Sequence, residues 1–203
     1  MTTGQRRTQA ERRARTRTAL VEAAARGLST YGYANLALER VAADAGFTRG
    51  ALYHQFAGKE ELALAVVEWV AETWDAEVGH LLADVADPVE ALLAVARGHA
   101  VYCRRDVARV LLSLRVEFDG QDHPVGRAID EGLDRLADDC AAVIEAGRGT
   151  GAIPPGPPAT VVALAYLGAL EAVGIQLAGR APHDTDLAER VARGLLGLRP
   201  RSG

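Results

Sequence analysis

An all-α chain with a helix-turn-helix near its amino terminus is what this sequence predicts, and three observations predict it. Apolar residues recur at helical spacing almost throughout, and no run of any length alternates as a strand does. Residues 32–62 describe two short helices joined by a glycine turn, followed by the opening of a third. Charge is divided along the chain. Residues 1–60 hold ten Lys and Arg against five Asp and Glu, a net +5, while residues 61–203 hold thirteen against twenty-two, a net −9. The overall charge of −4 hides that asymmetry, which suits a nucleic-acid arm on an acidic body.

Each element follows from local pattern. Thr8 and Glu11 have capping-box spacing, so a first helix starts there and carries Leu20, Ala24, Gly27, Leu28 and Tyr31 inward to a stop at Gly32. Leu38, Val41, Ala42 and Ala45 mark a short second helix ending at Gly46. Thr48 caps the third, with Leu52 and Phe56 turned inward. Gly58-Lys-Glu-Glu opens a long helix whose first-turn acids suit the helix dipole; Leu62, Val66, Trp69, Val70 and Thr73 face in. Pro88 starts the next helix, striped by Val89, Leu92, Leu93, Ala96, His99 and Cys103. A short helix is expected over Val107–Phe118 and a long one from Pro124 through Ile144. The Gly- and Pro-rich segment 147–158 reads as a loop, and Ala159–Leu177 and Leu187–Leu198 close the chain. The count is about nine helices, in two parts: 1–58 as reader with a basic arm, and 59–203 as a helical body.

The packing of Ala42, Gly46 and Leu52 joins two short helices at a steep angle and leaves Thr48, Arg49, Gly50, Tyr53, His54 and Gln55 outward. These residues suit a major groove. Arg49 can fork onto guanine O6 and N7. Tyr53 and His54 can donate to phosphates, and the amides near Thr48 favour an anion. Gly50 lets backbone approach closely, and Lys59 is placed for a phosphate. The basic run Arg6, Arg7, Arg12, Arg13, Arg15 and Arg17 adds a non-specific electrostatic contribution, with Arg17 nearest the motif. The competing reading is an ordinary helical corner with a solvated face; the basic residues upstream favour a reader.

Gly32-Tyr33, the run Val41–Phe56 and Lys59-Glu60-Glu61-Leu62 resemble the amino-terminal pattern of the TetR family of bacterial repressors over about the first 65 residues. The departures are Ala37, where the family usually has a capping Ser or Thr, so that Asn35 is the alternative cap, and Gly27-Leu28, where it usually has Leu-Phe. The resemblance implies a homodimer, a palindromic double-stranded DNA operator, a small-molecule effector bound in the carboxy-terminal body, and repression relieved by that ligand.

For the body, a mostly apolar cavity among residues 88–180 is expected, with Trp69, His99, Tyr102, Arg115 and Tyr166 as candidate lining. Small residues Ala165, Gly168 and Ala172 and large ones Leu187, Val191 and Leu195 mark a helical dimer interface. His99 and Cys103 lie at metal-ligand spacing but on an apolar stripe and without further ligands, so they read as core or pocket lining. No catalytic constellation, cofactor motif or metal set is evident, and Gly147–Ala152 lacks the strand a dinucleotide site needs. The cysteines read as reduced thiols of a cytoplasmic protein. The longest apolar stretch, Ala159–Leu170, is too short to span a bilayer. The class that remains beside a regulator is an all-helical enzyme or ligand-sequestering protein whose helix-turn-helix no longer reads DNA.

Overall fold

A computed structural model describes residues 8–198, so Arg6 and Arg7 of the basic run lie outside the described residues. Among those residues there are ten α-helices, one π-helical segment and no strand. The helices are α1 (Gln9–Tyr31), α2 (Leu38–Asp44), α3 (Arg49–Tyr53), α4 (Lys59–Trp74), α5 (Leu81–Asp84), α6 (Pro88–Tyr102), α7 (Val110–Phe118), α8 (Pro124–Gly149), α9 (Ala159–Gln176) and α10 (His183–Leu195). The four-residue α5 accounts for the difference from the expected nine. It follows a π-helical turn, Asp75–Gly79, that interrupts the run begun by α4. Gly79 is needed there: a Cβ would lie 2.5 Å from the Asp75 carboxylate and 2.9 Å from the Trp74 ring.

Most boundaries follow the local signals. Thr8 and Glu11 form both bonds of a capping box, and Thr48 accepts from the Ala51 amide. Gly46 has φ +76°, the left-handed value its turn requires. Asp87 caps α6 beside Pro88. Other expectations are corrected. Asn35 does not cap α2. Its side-chain amide donates to the Tyr31 carbonyl at the end of α1, and Ala37 is an N-cap with no side-chain bond. Tyr31 is exposed rather than inward, because it lies in the last turn of α1 with the Arg40 guanidinium over its ring. Helix α7 begins at Val110, after a run of turns, and α8 continues through Gly147 to Gly149. It can do so because Gly147 has no Cβ to strike Ile153, 2.6 Å away. Helix α10 starts four residues earlier than expected and ends three earlier.

The chain divides into two compact units, one comprising the segment through Trp69 together with Val110–Ala128, the other Val70–Arg109 with the remainder. In the first, Leu20, Leu28, Leu52, Phe56, Leu62, Val66, Leu114 and Val125 are fully buried. Gly27 permits part of this packing, since a Cβ there would come within 2.7 Å of Leu36 Cδ1. The helix cost of glycine thus accompanies a close approach.

In the second unit, α6, α9 and α10 pack on one another around Leu92, Leu93, Ala96, Cys140, Ile144, Ala163, Tyr166 and Ala192. Two charged ties join α6 to α10. Arg97 pairs with Glu189 at 2.7 Å, and Arg104 grips Asp184 through two nitrogens at 2.8 and 3.0 Å. Asp184 is fully buried, and the Arg104 guanidinium holds its carboxyl below the usual range.

Helix α9 corrects one sequence expectation. Its apolar character continues past Glu171, and the whole of Ala159–Gln176, with mean hydropathy 1.5, is long and apolar enough by composition to cross a membrane. One face of it, through Ala159, Ala163, Tyr166 and Leu170, enters the core of the second unit. The opposite face carries Val161, Leu164, Ala165, Gly168 and Ala172, all exposed.

Candidate nucleic-acid interface

Helices α2 and α3 place the candidate reading surface. Leu52 and Phe56 anchor α3 from below, at most 1% exposed. That anchoring fixes which side chains face away. Thr48, Arg49, Gly50, Tyr53 and His54 are all exposed and Gln55 is half-buried. Five of the six residues expected to face outward are therefore exposed, on α3 and the residues that flank it.

Cations near this surface are held on aromatic rings. Arg49 lies 5.4 Å from the Tyr53 centroid, Arg17 4.9 Å from Phe56, Arg40 4.9 Å from Tyr31 and Lys59 Nζ 4.7 Å from Tyr33. Such contacts limit the rotamers a long cationic side chain samples before it meets an anion. Arg49 is also paired at 3.0 Å with Glu39 of α2, and the Tyr53 hydroxyl and the Glu39 carboxylate push its pKa up. Lys59 donates to the Ala34 carbonyl at 2.9 Å, so its ammonium serves the α1–α2 turn as well as any phosphate.

Sequence reasoning missed the supports of that turn. Glu117 of α7 accepts from the amides of Tyr33 and Ala34, each at 2.6 Å. Gly32, at φ +72°, makes room for it; a Cβ would lie 2.9 Å from the carboxylate. Tyr33 packs edge-on against Phe118 and His123, whose rings stack 4.0 Å apart. Burial, and then the carboxylates of Glu60 and Glu117, push the Tyr33 phenol up. No local pattern points to Glu117, which lies more than eighty residues from its partners.

The candidate ligand residues are divided between the two units. Trp69 and Arg115, both half-buried, belong to the first unit; His99, Tyr102 and Tyr166 belong to the second. The Tyr166 hydroxyl is committed to the Leu92 carbonyl at 2.6 Å within the core. Tyr102 meets the Thr73 hydroxyl at 3.0 Å. The Trp74 indole N–H, which can only donate, points at His99 Nδ1 at 3.1 Å. The neutral imidazole then carries its proton on Nε2, which faces Cys103 Sγ at 3.3 Å. Burial lowers the His99 pKa to about 4 and raises the thiols of Cys103 and Cys140 to about 12. At neutral pH the His99–Cys103 pair is uncharged. Gly174 of α9 allows its approach, since a Cβ there would sit 2.7 Å from Sγ.

The candidate dimer residues lie on open faces. Ala165, Gly168 and Ala172 share the exposed side of α9. On α10, Leu187 and Leu195 are exposed by 38% and 37% and Val191 is half-buried, at four-residue spacing along one stripe.

Residues 20–66 match the model of the bacterial regulatory proteins, tetR family. The HTH-type transcriptional regulator CymR of Pseudomonas putida is 46% identical over 67 residues, 33% of each chain. The A-factor receptor protein of Streptomyces griseus is 32% identical over 114 residues, 55% of this chain and 39% of that one. The chain thus spans well under half the length of these curated relatives. A crystal structure of AibR in complex with isovaleryl coenzyme A and operator DNA superimposes with a TM-score of 0.75 at 24% identity. It covers 91% of this chain and 100% of that one, a likeness that shows the fold through both units. Residues 20–66 thus match the helix-turn-helix of the tetR family of bacterial regulatory proteins, and the chain as a whole shares the fold of AibR.

Proposed function

We propose that this protein is a DNA-binding transcriptional regulator that acts in the cytoplasm as a dimeric repressor and is released from a palindromic operator by a small, mostly apolar ligand. The observation that carries the reading is the α3 surface. Its apolar side is fully buried, while Thr48, Arg49, Gly50, Tyr53 and His54 stand exposed on the other. A solvated helical corner has no need of an arginine and a tyrosine held against each other at the start of a five-residue helix. In this reading Arg49 contacts base edges, Thr48, Tyr53, His54, Gln55 and Lys59 contact the backbone, and Arg17 contributes from α1.

Two exposed apolar stripes support the homodimer. A lone chain with both open to water would be prone to association, and one reader alone contacts too little DNA for tight specificity. A dimer spaces two readers by one turn of DNA, about 34–36 Å. Helix α4 carries Lys59 at one end and Val70–Trp74 at the other, so a ligand that shifts it changes the readers' spacing. For the effector, His99 and Tyr102 are the better candidates. The Tyr166 hydroxyl is spent in the core, and Trp69 and Arg115 are retained as secondary ones. AibR, which shares this fold, was crystallised with isovaleryl coenzyme A and operator DNA, and that supports a small-molecule effector.

The test is selection from random duplexes followed by a gel shift over a salt series. Enrichment of a two-fold symmetric sequence, with affinity falling steeply as salt rises, supports the reading. The uncapped start of α2 at Ala37 favours the alternative, a ligand-binding protein that no longer reads DNA. Failure to enrich any sequence would overturn the reading.

A further inference from the structure

The ion pair between Arg49 and Glu39 has no evident use in stability. Its side chains are 62% and 57% exposed, and pairs so open to water contribute little to folding. Glu39 also sits in the first turn of α2, where a carboxylate suits the dipole of a helix with no side-chain cap. An aspartate would serve that purpose equally well. What needs the longer side chain is the reach across to α3, which brings Oε1 to 3.0 Å from Arg49 Nη1. Tyr53 completes the arrangement one turn along α3, with its ring 5.4 Å from the guanidinium carbon.

We propose that Glu39 determines base specificity by positioning Arg49, holding its guanidinium over Tyr53 for a base edge and keeping it off the phosphates. The proposal rests on the reading of α3 as the DNA-contacting helix. An unrestrained arginine beside a duplex finds the phosphates first, since they carry the charge. Here Glu39 and Tyr53 restrain the side chain before DNA arrives, which lowers the rotamer entropy lost on docking. A guanidinium has five N–H donors, so a contact through Nη1 leaves enough for the O6 and N7 of one guanine. The carboxylate also repels the backbone, so any docking that draws this corner toward phosphate is disfavoured. Repulsion of that kind sharpens specificity while weakening total affinity.

The experiment compares wild type with Glu39→Gln, Glu39→Asp and Arg49→Ala on the sequence enriched by wild type, its single-base variants and a random duplex. Far-UV circular dichroism checks the fold of each. Glu39→Gln is expected to bind the random duplex about two- to fivefold more tightly and to lose about three- to tenfold of preference at one base pair per half-site. Its salt slope steepens by about one unit as Arg49 moves to a phosphate. Glu39→Asp, too short to reach Arg49, follows Glu39→Gln in base preference. In the Arg49→Ala background, Glu39→Gln changes preference no further. If Glu39→Asp matches wild type, or if Glu39→Gln weakens every duplex alike, Glu39 serves only the α2 dipole and the proposal fails. If wild type enriches no sequence, the reading of α3 itself fails; preserved enrichment with unchanged preference overturns the positioning role alone.

Discussion

Glu117→Ala removes a carboxylate that closes two backbone amides, those of Tyr33 and Ala34, at 2.6 Å each. Hydrogen bonds to a charged group contribute about 1.5–3 kcal/mol each. Glu117 is half-buried and Ala34 is exposed, so water replaces part of what is lost. The expected cost is therefore about 2–3 kcal/mol rather than the full sum. For a chain of this length that corresponds to roughly 5–10 °C in the melting temperature if unfolding is a single transition. With two compact units it need not be, so the sharper assay is hydrogen exchange at the two amides. The same loss corresponds to about 30- to 150-fold faster exchange at Tyr33 and Ala34. Glu117→Gln keeps one acceptor oxygen and turns an NH2 toward the other amide, so it should fall between wild type and alanine. Gly32→Ala should reproduce the effect, because its Cβ would lie 2.9 Å from the carboxylate at a φ of +72° that alanine resists. Unchanged protection of both amides in Glu117→Ala would falsify this role of Glu117.

Four further outcomes are expected. Leu195→Glu should leave the circular dichroism unchanged, since Leu195 is exposed in the single chain, yet weaken dimerisation about 100-fold or more by placing a charge in an apolar seam; light scattering reads the mass. Lys59→Ala should weaken binding to all duplexes alike and flatten the salt slope by about one unit, and a changed base preference would move Lys59 out of the phosphate class. His99 has its folded pKa depressed from 6.5 to about 4, so its stability contribution is complete above pH 6.5 and is lost as pH falls toward 4. The loss is about 3 kcal/mol at most. His99→Gln should flatten that limb of a urea-denaturation series, and an identical pH profile in the variant would dissociate His99 from it. Gly174→Ala should destabilise by about 1–3 kcal/mol despite the helix preference for alanine, because its Cβ meets Cys103 Sγ at 2.7 Å and His99 Cδ2 at 3.3 Å; a raised melting temperature would show that the cluster gives way freely.

What the sequence made legible was short-range. The Thr8–Glu11 box, the Gly46 turn, the Thr48 cap and the inward Leu52 and Phe56 each depend on residues within four or five positions of one another. Helical periodicity reports such neighbours directly. The ties that hold the elements together have no such signature. Glu117 meets Tyr33 across 84 residues, Arg104 meets Asp184 across 80, and Arg97 meets Glu189 across 92. In sequence each of these is one more charge on a helix. Gly27 misled for the same reason. It reads as a local cost to its helix, and only Leu36, which fills the missing Cβ's place, explains it.

The outward face of the reader was legible because the inward face is so tightly specified. Once Leu52 and Phe56 are buried, a five-residue helix has only one direction left for Arg49 and Tyr53. The ligand residues lacked that constraint. His99, Tyr102 and Tyr166 all lie on or near apolar stripes, and periodicity cannot tell a polar group that satisfies a neighbour from one that awaits a ligand. Their partners separate them: the Tyr166 hydroxyl closes on Leu92 O at 2.6 Å, whereas Tyr102 meets the Thr73 hydroxyl at 3.0 Å and reaches the Val70 carbonyl only at 3.4 Å, and His99 bonds to the Trp74 side chain, contacts that rotamer changes can release. A backbone carbonyl held inside α6 offers no such exchange. Effector recognition is therefore more readily built on His99 and Tyr102, and substitutions there should alter ligand response before they alter the fold, while loss of the Tyr166 hydroxyl should do the reverse.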